Sequence, residues 1–120
     1  MRTLKFFFIT VFVLVLSTNS FSQINDLTKM AVTKNENIKV FGNCEMCKAR
    51  IENAAKFEGI IKATWSTKTK ILTLVYDPLK VKSDDVQKRI AGVGHDTENF
   101  KSVDTVYNSL PSCCKYERIN

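Results

Sequence analysis

The chain has 120 residues, of which 44% are hydrophobic and 25% charged, a composition typical of one small globular domain and unlike that of a disordered chain. The formal net charge of +6 is spread along the chain without interleaved aromatic residues, so we do not expect a nucleic-acid-binding surface. Removing the two basic residues of the first 22 positions lowers this charge from +6 to +4.

The first 22 residues are typical of a secretory signal peptide. Two basic residues precede an apolar run that ends at Leu16, and Ser20 and Ser22 supply the small residues that a signal peptidase reads. The run is short for a membrane span and no second apolar stretch follows it. We therefore expect a periplasmic or secreted protein that is not embedded in a membrane once processed. A retained N-terminal anchor is the alternative.

The mature chain is predicted to begin with a flexible segment at residues 23–37, which are mostly polar. A first strand is predicted at residues 38–41. A helix follows, because Cys47, Ile51 and the alanine pair at 54–55 recur at the spacing of one helix face.

A β-hairpin is predicted at residues 60–76. Ile61, Ala63 and Trp65 alternate with polar residues, which indicates a half-buried strand with these three side chains on one side. The second arm, residues 71–76, is rich in β-branched and aromatic residues, which favour strands.

The second helix is predicted from its cap and its apolar stripe. Ser83 is expected to be the N-cap, and Val86, Ile90 and Val93 recur on one face. A short last strand is predicted at residues 96–100.

The predicted order is strand, helix, strand, strand, helix, strand. By the right-handed crossover rule, this order gives an α+β, ferredoxin-like βαββαβ fold with a four-stranded antiparallel sheet and both helices on one face. We assign this domain to residues 38–101. Residues 102–120 form a C-terminal extension, in which a short third helix is predicted before Pro111.

Cys44 and Cys47 lie where the first strand stops and the first helix starts. The positive end of a helix dipole favours the thiolate form, and Lys48 and Arg50 add charge of the right sign. We therefore expect two thiolates of low pKa. Such a pair binds one soft cation or closes into one disulfide, and an exported protein meets an oxidising compartment in which disulfides are common.

Cys113 and Cys114 are adjacent and follow the third predicted helix. Four cysteines allow three full pairings, and the sequence does not choose among them. Adjacent cysteines can form a strained disulfide, bridge to another chain or fold back to cover a metal ion. A structural disulfide is an alternative of equal weight to a metal or redox role.

With its cysteine pair between the first strand and the first helix, the chain resembles the heavy-metal-associated domain. This family includes copper chaperones, modules of metal-pumping ATPases and periplasmic mercury-binding proteins. The resemblance depends on two motifs, Gly42-Asn43-Cys44-Glu45-Met46-Cys47 and Gly94-His95-Asp96-Thr97-Glu98. The family usually has a methionine, which packs beneath the metal loop, and one more residue before the first cysteine, whereas Asn43 alone follows Gly42 here.

The resemblance also implies a residue near the metal in the loop before the last strand, and the matching position is His95. Imidazole suits copper and zinc, so His95 is a candidate third ligand or a hydrogen-bond partner of a thiolate. A solvent-facing loop histidine is the alternative of equal weight.

Two thiolates without a carboxylate cluster favour a soft ion at low coordination number, Cu(I) first, with Zn(II), Hg(II) or Cd(II) able to occupy the same pair. A four-coordinate zinc site needs two more ligands, which Cys113 and Cys114 would supply. We predict an exported protein, not an enzyme, that captures the ion between Cys44 and Cys47. It would pass the ion by thiolate exchange to a metal transporter or another metal-binding domain, or sequester it.

The alternative function is a periplasmic thiol-disulfide oxidoreductase, because these enzymes also carry C-x-x-C at a helix N-terminus. The dipeptide Glu45-Met46 between the cysteines lacks proline, and a hairpin follows the first helix directly. Both features favour metal binding. A structural disulfide in an exported adaptor is the third possibility.

Overall fold

The computed structural model describes residues 32–119, so the predicted signal peptide and residues 23–31 lie outside the described part of the chain. The elements in chain order are β1 (Lys34–Lys39), α1 (Glu45–Ala55), β2 (Ile60–Trp65), β3 (Ile71–Tyr76), α2 (Ser83–Gly92), α3 (Asp104–Asn108) and a 3₁₀ turn (Ser112–Cys114). Among residues 32–119, no helix is long and apolar enough to cross a membrane.

The sheet has three antiparallel strands in the order β1-β3-β2. The predicted α+β fold with an antiparallel sheet is confirmed, but the fourth strand at residues 96–100 is not formed as predicted. In its place, Thr97 makes an isolated antiparallel bridge with Val40. Two backbone hydrogen bonds flank this bridge, from the Phe41 N–H to the Asp96 carbonyl and from the Glu98 N–H to the Lys39 carbonyl. The pairing goes no further because the chain turns at residues 97–100, where the Thr97 N–H donates to the Phe100 carbonyl at 2.7 Å.

Strand β1 begins at Lys34 and not at Ile38 as predicted, so residues 34–37 belong to the sheet and not to the N-terminal segment predicted at residues 23–37. Lys34 pairs with Tyr76 at the end of β3, and the antiparallel pairing continues to Lys39, which lies opposite Ile71. The Tyr76 hydroxyl also donates to Glu36 at 2.8 Å. A polar sequence forms this strand because β3 offers it a complete row of backbone partners.

Two further predictions fail at the ends of elements. Ile61, predicted to share a side with Ala63 and Trp65, is 61% exposed, because an irregularity in the pairing between Ile60 and Lys62 reverses the alternation. Ser83 is the first helical residue and not the N-cap; Lys82 occupies the cap and makes no side-chain cap hydrogen bond.

The core lies between the sheet and the two longer helices, which also pack against each other. Helices α1 and α2 contribute Ile51, Ala55, Val86 and Ile90 from their predicted stripes. Val93, the last residue of the second predicted stripe, instead follows the end of α2 and is half-buried. The C-terminal extension belongs to the same core through three buried side chains, Leu110, Cys114 and Tyr116. The extension is therefore packed onto the domain at the end that carries the first cysteine pair.

Candidate metal site

Cys44 and Cys47 lie at the N-terminus of α1, as predicted. Cys44 is the extended residue before the helix, and Cys47 lies in the first turn. Their Sγ atoms are 3.3 Å apart, and the Asn43 N–H donates to Cys47 Sγ at 3.4 Å. Both sulfurs therefore face the same small volume at the end of the helix.

The loop before the pair is supported by Trp65. A Cβ atom at Gly42 would lie 3.1 Å from Cys47 Cβ and 3.1 Å from Trp65 Cη2, so only glycine allows this approach without displacement. Trp65 is fully buried, and its Nε1 donates to the Val40 carbonyl at 3.0 Å. Trp65 thus packs against the cysteine loop, a role that the family resemblance gives to a methionine.

The C-terminal extension brings the second cysteine pair to the first. Cys44 Sγ lies 3.0 Å from Cys113 Sγ and 3.5 Å from Cys114 Sγ. The sulfurs of Cys44, Cys47 and Cys114 all lie within 4.8 Å of one another. All four cysteines are free, so the structure contains none of the three disulfide pairings.

Lys48 and Arg50 were expected beside the Cys44 and Cys47 thiolates, but the sulfur that Arg50 contacts belongs to the second cysteine pair, and Lys48 contacts no sulfur. Arg50 Nη1 donates to Cys114 Sγ at 3.3 Å. Lys48 Nζ instead donates to the Trp65 carbonyl at 2.7 Å and pairs with Glu52 at 2.9 Å. These two acceptors hold the lysine at β2, so its charge does not contact the sulfurs.

No family model matches the chain. A zinc-transporting ATPase of Synechocystis sp. is 32% identical over 78 residues, which are 63% of this chain and 11% of the ATPase. The CopZ metallochaperone is 26% identical with a TM-score of 0.52, and the match covers 53% of this chain and 98% of that structure. A copper-binding domain of the P-type ATPase HMA7 is 27% identical with a TM-score of 0.51, over 53% of this chain and 89% of that domain.

The described part of the chain is similar in sequence and structure to heavy-metal-associated domains. The resemblance inferred from the two sequence motifs is confirmed. The similar structures are a metallochaperone and a copper-binding domain, which agrees with the prediction that the chain is a binding domain and not an enzyme.

The four thiols of the site differ in acidity. The hydrogen bond with Cys113 lowers the pKa of Cys44 to about 6, whereas burial raises the pKa of Cys47 to about 11. The pKa of Cys113 is raised by its hydrogen bond with Cys44, and that of Cys114 is raised by burial. The prediction of two acidic thiols is therefore wrong for Cys47, because its burial outweighs the effect of the helix terminus. Metal binding at neutral pH must release protons from the remaining thiols.

His95 is not a member of the group formed by Cys44, Cys47 and Cys114. It is fully buried, and Nδ1 donates to the Phe41 carbonyl at 2.8 Å, so the solvent-facing alternative is wrong. Burial lowers its pKa, which keeps the ring neutral. Within residues 32–119, Nε2 has no hydrogen-bond partner.

The structure also assigns a position to Tyr116, which sequence reasoning missed. Its hydroxyl donates to the Gly94 carbonyl at 2.8 Å and accepts from the Asp96 N–H at 2.8 Å, and its ring stacks on His95. The only sequence signal was an aromatic residue two positions after Cys114. Tyr116 fixes the extension to the loop that carries His95.

Proposed function

We propose that this protein captures a soft metal ion between Cys44 and Cys47, and passes it on or sequesters it. The observation that carries the proposal is the group of free thiols, in which the sulfurs of Cys44, Cys47 and Cys114 lie within 4.8 Å of one another. Thiolate sulfur selects Cu(I), Zn(II) and related ions over hard cations such as Mg²⁺. The likeness to a zinc-transporting ATPase and to a copper-binding domain supports the same class of ligand.

Cu(I), Zn(II) and Hg(II) are the candidate ions. The Cys44–Cys47 pair alone favours Cu(I), because two thiolates satisfy its low coordination number. The proposed transfer step is ligand exchange without a change of oxidation state. A thiol of the partner loses its proton and bonds to the ion while one of the chain's own metal–sulfur bonds breaks, and the released sulfur takes up a proton in exchange.

The proposed partner is a metal transporter or another metal-binding domain, and the proposed location is the periplasm or the exterior of the cell. Cys44 suits the first contact with a partner, because it is only partly buried and has a pKa of about 6. The location is tested by N-terminal sequencing of the purified mature protein. A mature chain that starts at Gln23 supports export, and a chain that retains Met1 contradicts it.

Metal binding is tested by native mass spectrometry of the reduced protein, with and without Cu(I) or Zn(II). We expect one ion per chain, and no ion in a Cys44→Ser/Cys47→Ser variant that keeps its fold by circular dichroism. Ser112→Ala is the matched control, since it changes a residue beside the second pair without removing sulfur. A reduced, folded wild-type chain that ignores copper, zinc and mercury would overturn the proposal.

One observation favours the oxidoreductase alternative: a thiol with a pKa of about 6 is a good nucleophile in thiol-disulfide exchange. Insulin reduction at catalytic protein concentration separates the two functions. Metal binding without turnover supports our proposal. Turnover comparable to that of a known oxidoreductase would replace it.

A further inference from the structure

The C-terminal extension is fixed in place by contacts that involve no cysteine. Arg118 forms an ion pair with Asp96 at 2.9 Å, and Asn43 Nδ2 in the cysteine loop donates to the Lys115 carbonyl at 3.1 Å. Leu110 packs against Gly94, where a Cβ atom would lie only 2.7 Å from Leu110 Cδ2. The second cysteine pair is therefore held at the first by the fold itself.

The turn that carries the second pair is itself constrained. Residues 112–114 form a 3₁₀ turn, in which the Cys114 N–H donates to the Pro111 carbonyl at 2.8 Å. Cys114 is fully buried and faces Cys47, and Cys113 is exposed beside Cys44. The two adjacent side chains thus approach the first pair from its inner and its outer side.

The spacing of three of the sulfurs is close to that of a first coordination sphere, and the fourth, Cys113, lies beside them. Zinc–sulfur bonds of about 2.3 Å in a tetrahedral site place the sulfurs about 3.8 Å apart. Cys44 Sγ lies 3.3 Å from Cys47 Sγ, 3.0 Å from Cys113 Sγ and 3.5 Å from Cys114 Sγ, and the last two are 3.9 Å apart. Cys113 lies outside the group of three sulfurs that are within 4.8 Å of one another, so its side chain must turn toward Cys47 to complete a tetrahedral site, whereas the other three need smaller movements.

The charges near the site also fit more than two thiolates. Four thiolates around a divalent ion carry a net charge of −2, which is costly in a partly buried site. The Arg50 guanidinium contacts the Cys114 sulfur at 3.3 Å and offsets part of this charge. In the described part of the chain, the group of possible metal ligands formed by Cys44, Cys47 and Cys114 includes no carboxylate, so no carboxylate in that group adds negative charge.

We infer that the C-terminal extension converts the two-sulfur pair into a four-sulfur site, with Cys114 as the third ligand and Cys113 as the fourth. The inference rests on the proposed function and names the ions that the extension favours. Four sulfurs suit a tetrahedral divalent ion such as Zn(II) or Cd(II), whereas Cu(I) needs only two or three. The extension therefore raises the affinity for Zn(II) much more than the affinity for Cu(I).

The test uses Co(II) as a spectroscopic probe of the reduced mature protein, because the charge-transfer absorption of Co(II) grows with the number of cobalt–sulfur bonds. In Cys113→Ser/Cys114→Ser, we expect this absorption to fall to about half of the wild-type value, since two of four sulfur ligands are lost. The Zn(II) affinity, measured by chelator competition, should fall by more than about 100-fold, the upper range for a change outside the first coordination sphere. The Cu(I) affinity should fall by a smaller factor.

Two variants guard against unfolding as the cause. Cys113→Ser changes an exposed residue, keeps the buried sulfur and should remove about a quarter of the cobalt–sulfur absorption. Ser112→Ala should change neither spectrum nor affinity. Equal Co(II) spectra and Zn(II) affinities in wild type and a folded double variant would overturn the inference but leave metal binding at Cys44 and Cys47 intact. A wild-type chain that binds neither ion would overturn both.

Discussion

The two cysteine pairs reach the same site in different ways. Cys44 and Cys47 are placed by local structure, because a strand end and a helix start bring residues three positions apart together. Cys113 and Cys114 are placed by tertiary contacts with a loop and a helix some 70 positions earlier in the chain. The first pair thus depends on the helix terminus, whereas the second depends on how well the extension is anchored. Changes in the anchor should displace the second pair first, and through the Cys44–Cys113 contact they should also raise the pKa of Cys44.

The largest expected effect comes from Tyr116→Ala. The change removes a buried ring and its two hydrogen bonds to the Gly94–Asp96 loop. We expect the free energy of unfolding to fall by about 3–5 kcal/mol, the usual cost of removing a large buried aromatic side chain. Chemical denaturation measures this loss, and Zn(II) affinity should fall with it as the extension loosens.

Tyr116→Phe is the matched control, since it keeps the ring and removes only the hydroxyl. Its cost should be smaller, about 1–3 kcal/mol, because two buried backbone groups lose a partner. If Tyr116→Ala leaves both stability and Zn(II) affinity at the wild-type level, the extension is not anchored as described.

The ion pair between Asp96 and Arg118 should make the anchor sensitive to acid. Burial alone would raise the pKa of Asp96, but hydrogen bonds from Arg118 and the Ser102 N–H outweigh it and lower that pKa. A carboxyl whose folded pKa is lowered stabilises the fold above its unfolded pKa, and this stability is lost as the pH falls through the folded value. Stability should therefore decline below about pH 4, the unfolded reference for aspartate.

Arg118→Ala isolates this contribution. We expect it to lower the free energy of unfolding at neutral pH by about 1.5–3 kcal/mol, the value of hydrogen bonds to a charged group. Its stability should also depend less on pH between about 2 and 4, a range set by the aspartate reference value. Parallel pH profiles for wild type and variant would contradict the assignment.

Gly42→Ala tests the loop that positions the first pair, at a site that makes its own close contacts with Cys47 and Trp65. The added Cβ atom would lie 3.1 Å from both Cys47 Cβ and the Trp65 ring, so the cysteine loop must shift. We expect a loss of about 1–3 kcal/mol in the free energy of unfolding, as for other overpacked sites. Gly92→Ala is the control, because no atom lies within 4 Å of its added Cβ and alanine favours the helix. Equal stability of the two variants would show that the loop tolerates a side chain.

The same contrast explains how far the sequence could predict the molecule. The helix faces, the hairpin and the position of Cys44 and Cys47 follow from local periodicity and spacing. The predicted fourth strand is reduced to one bridge because the chain turns at residues 97–100. The predicted low pKa of Cys47 is wrong because burial, which is a tertiary property, raises it. The sequence does not predict the approach of Cys114 to Cys44, because no local pattern encodes a contact between segments 70 positions apart.

The smallest effect on metal binding is expected from His95→Ala. His95 is not among the three close thiols, and its Nδ1 donates to the Phe41 carbonyl, so its contacts hold the loop and not the ion. We expect the Zn(II) and Cu(I) affinities to change by less than about 10-fold, the lower range for a residue that supports a ligand. The midpoint temperature of thermal unfolding should nevertheless fall, because the variant loses a buried ring that stacks on Tyr116. A folded His95→Ala variant with a much larger loss of affinity would make His95 a ligand, as the family resemblance allows.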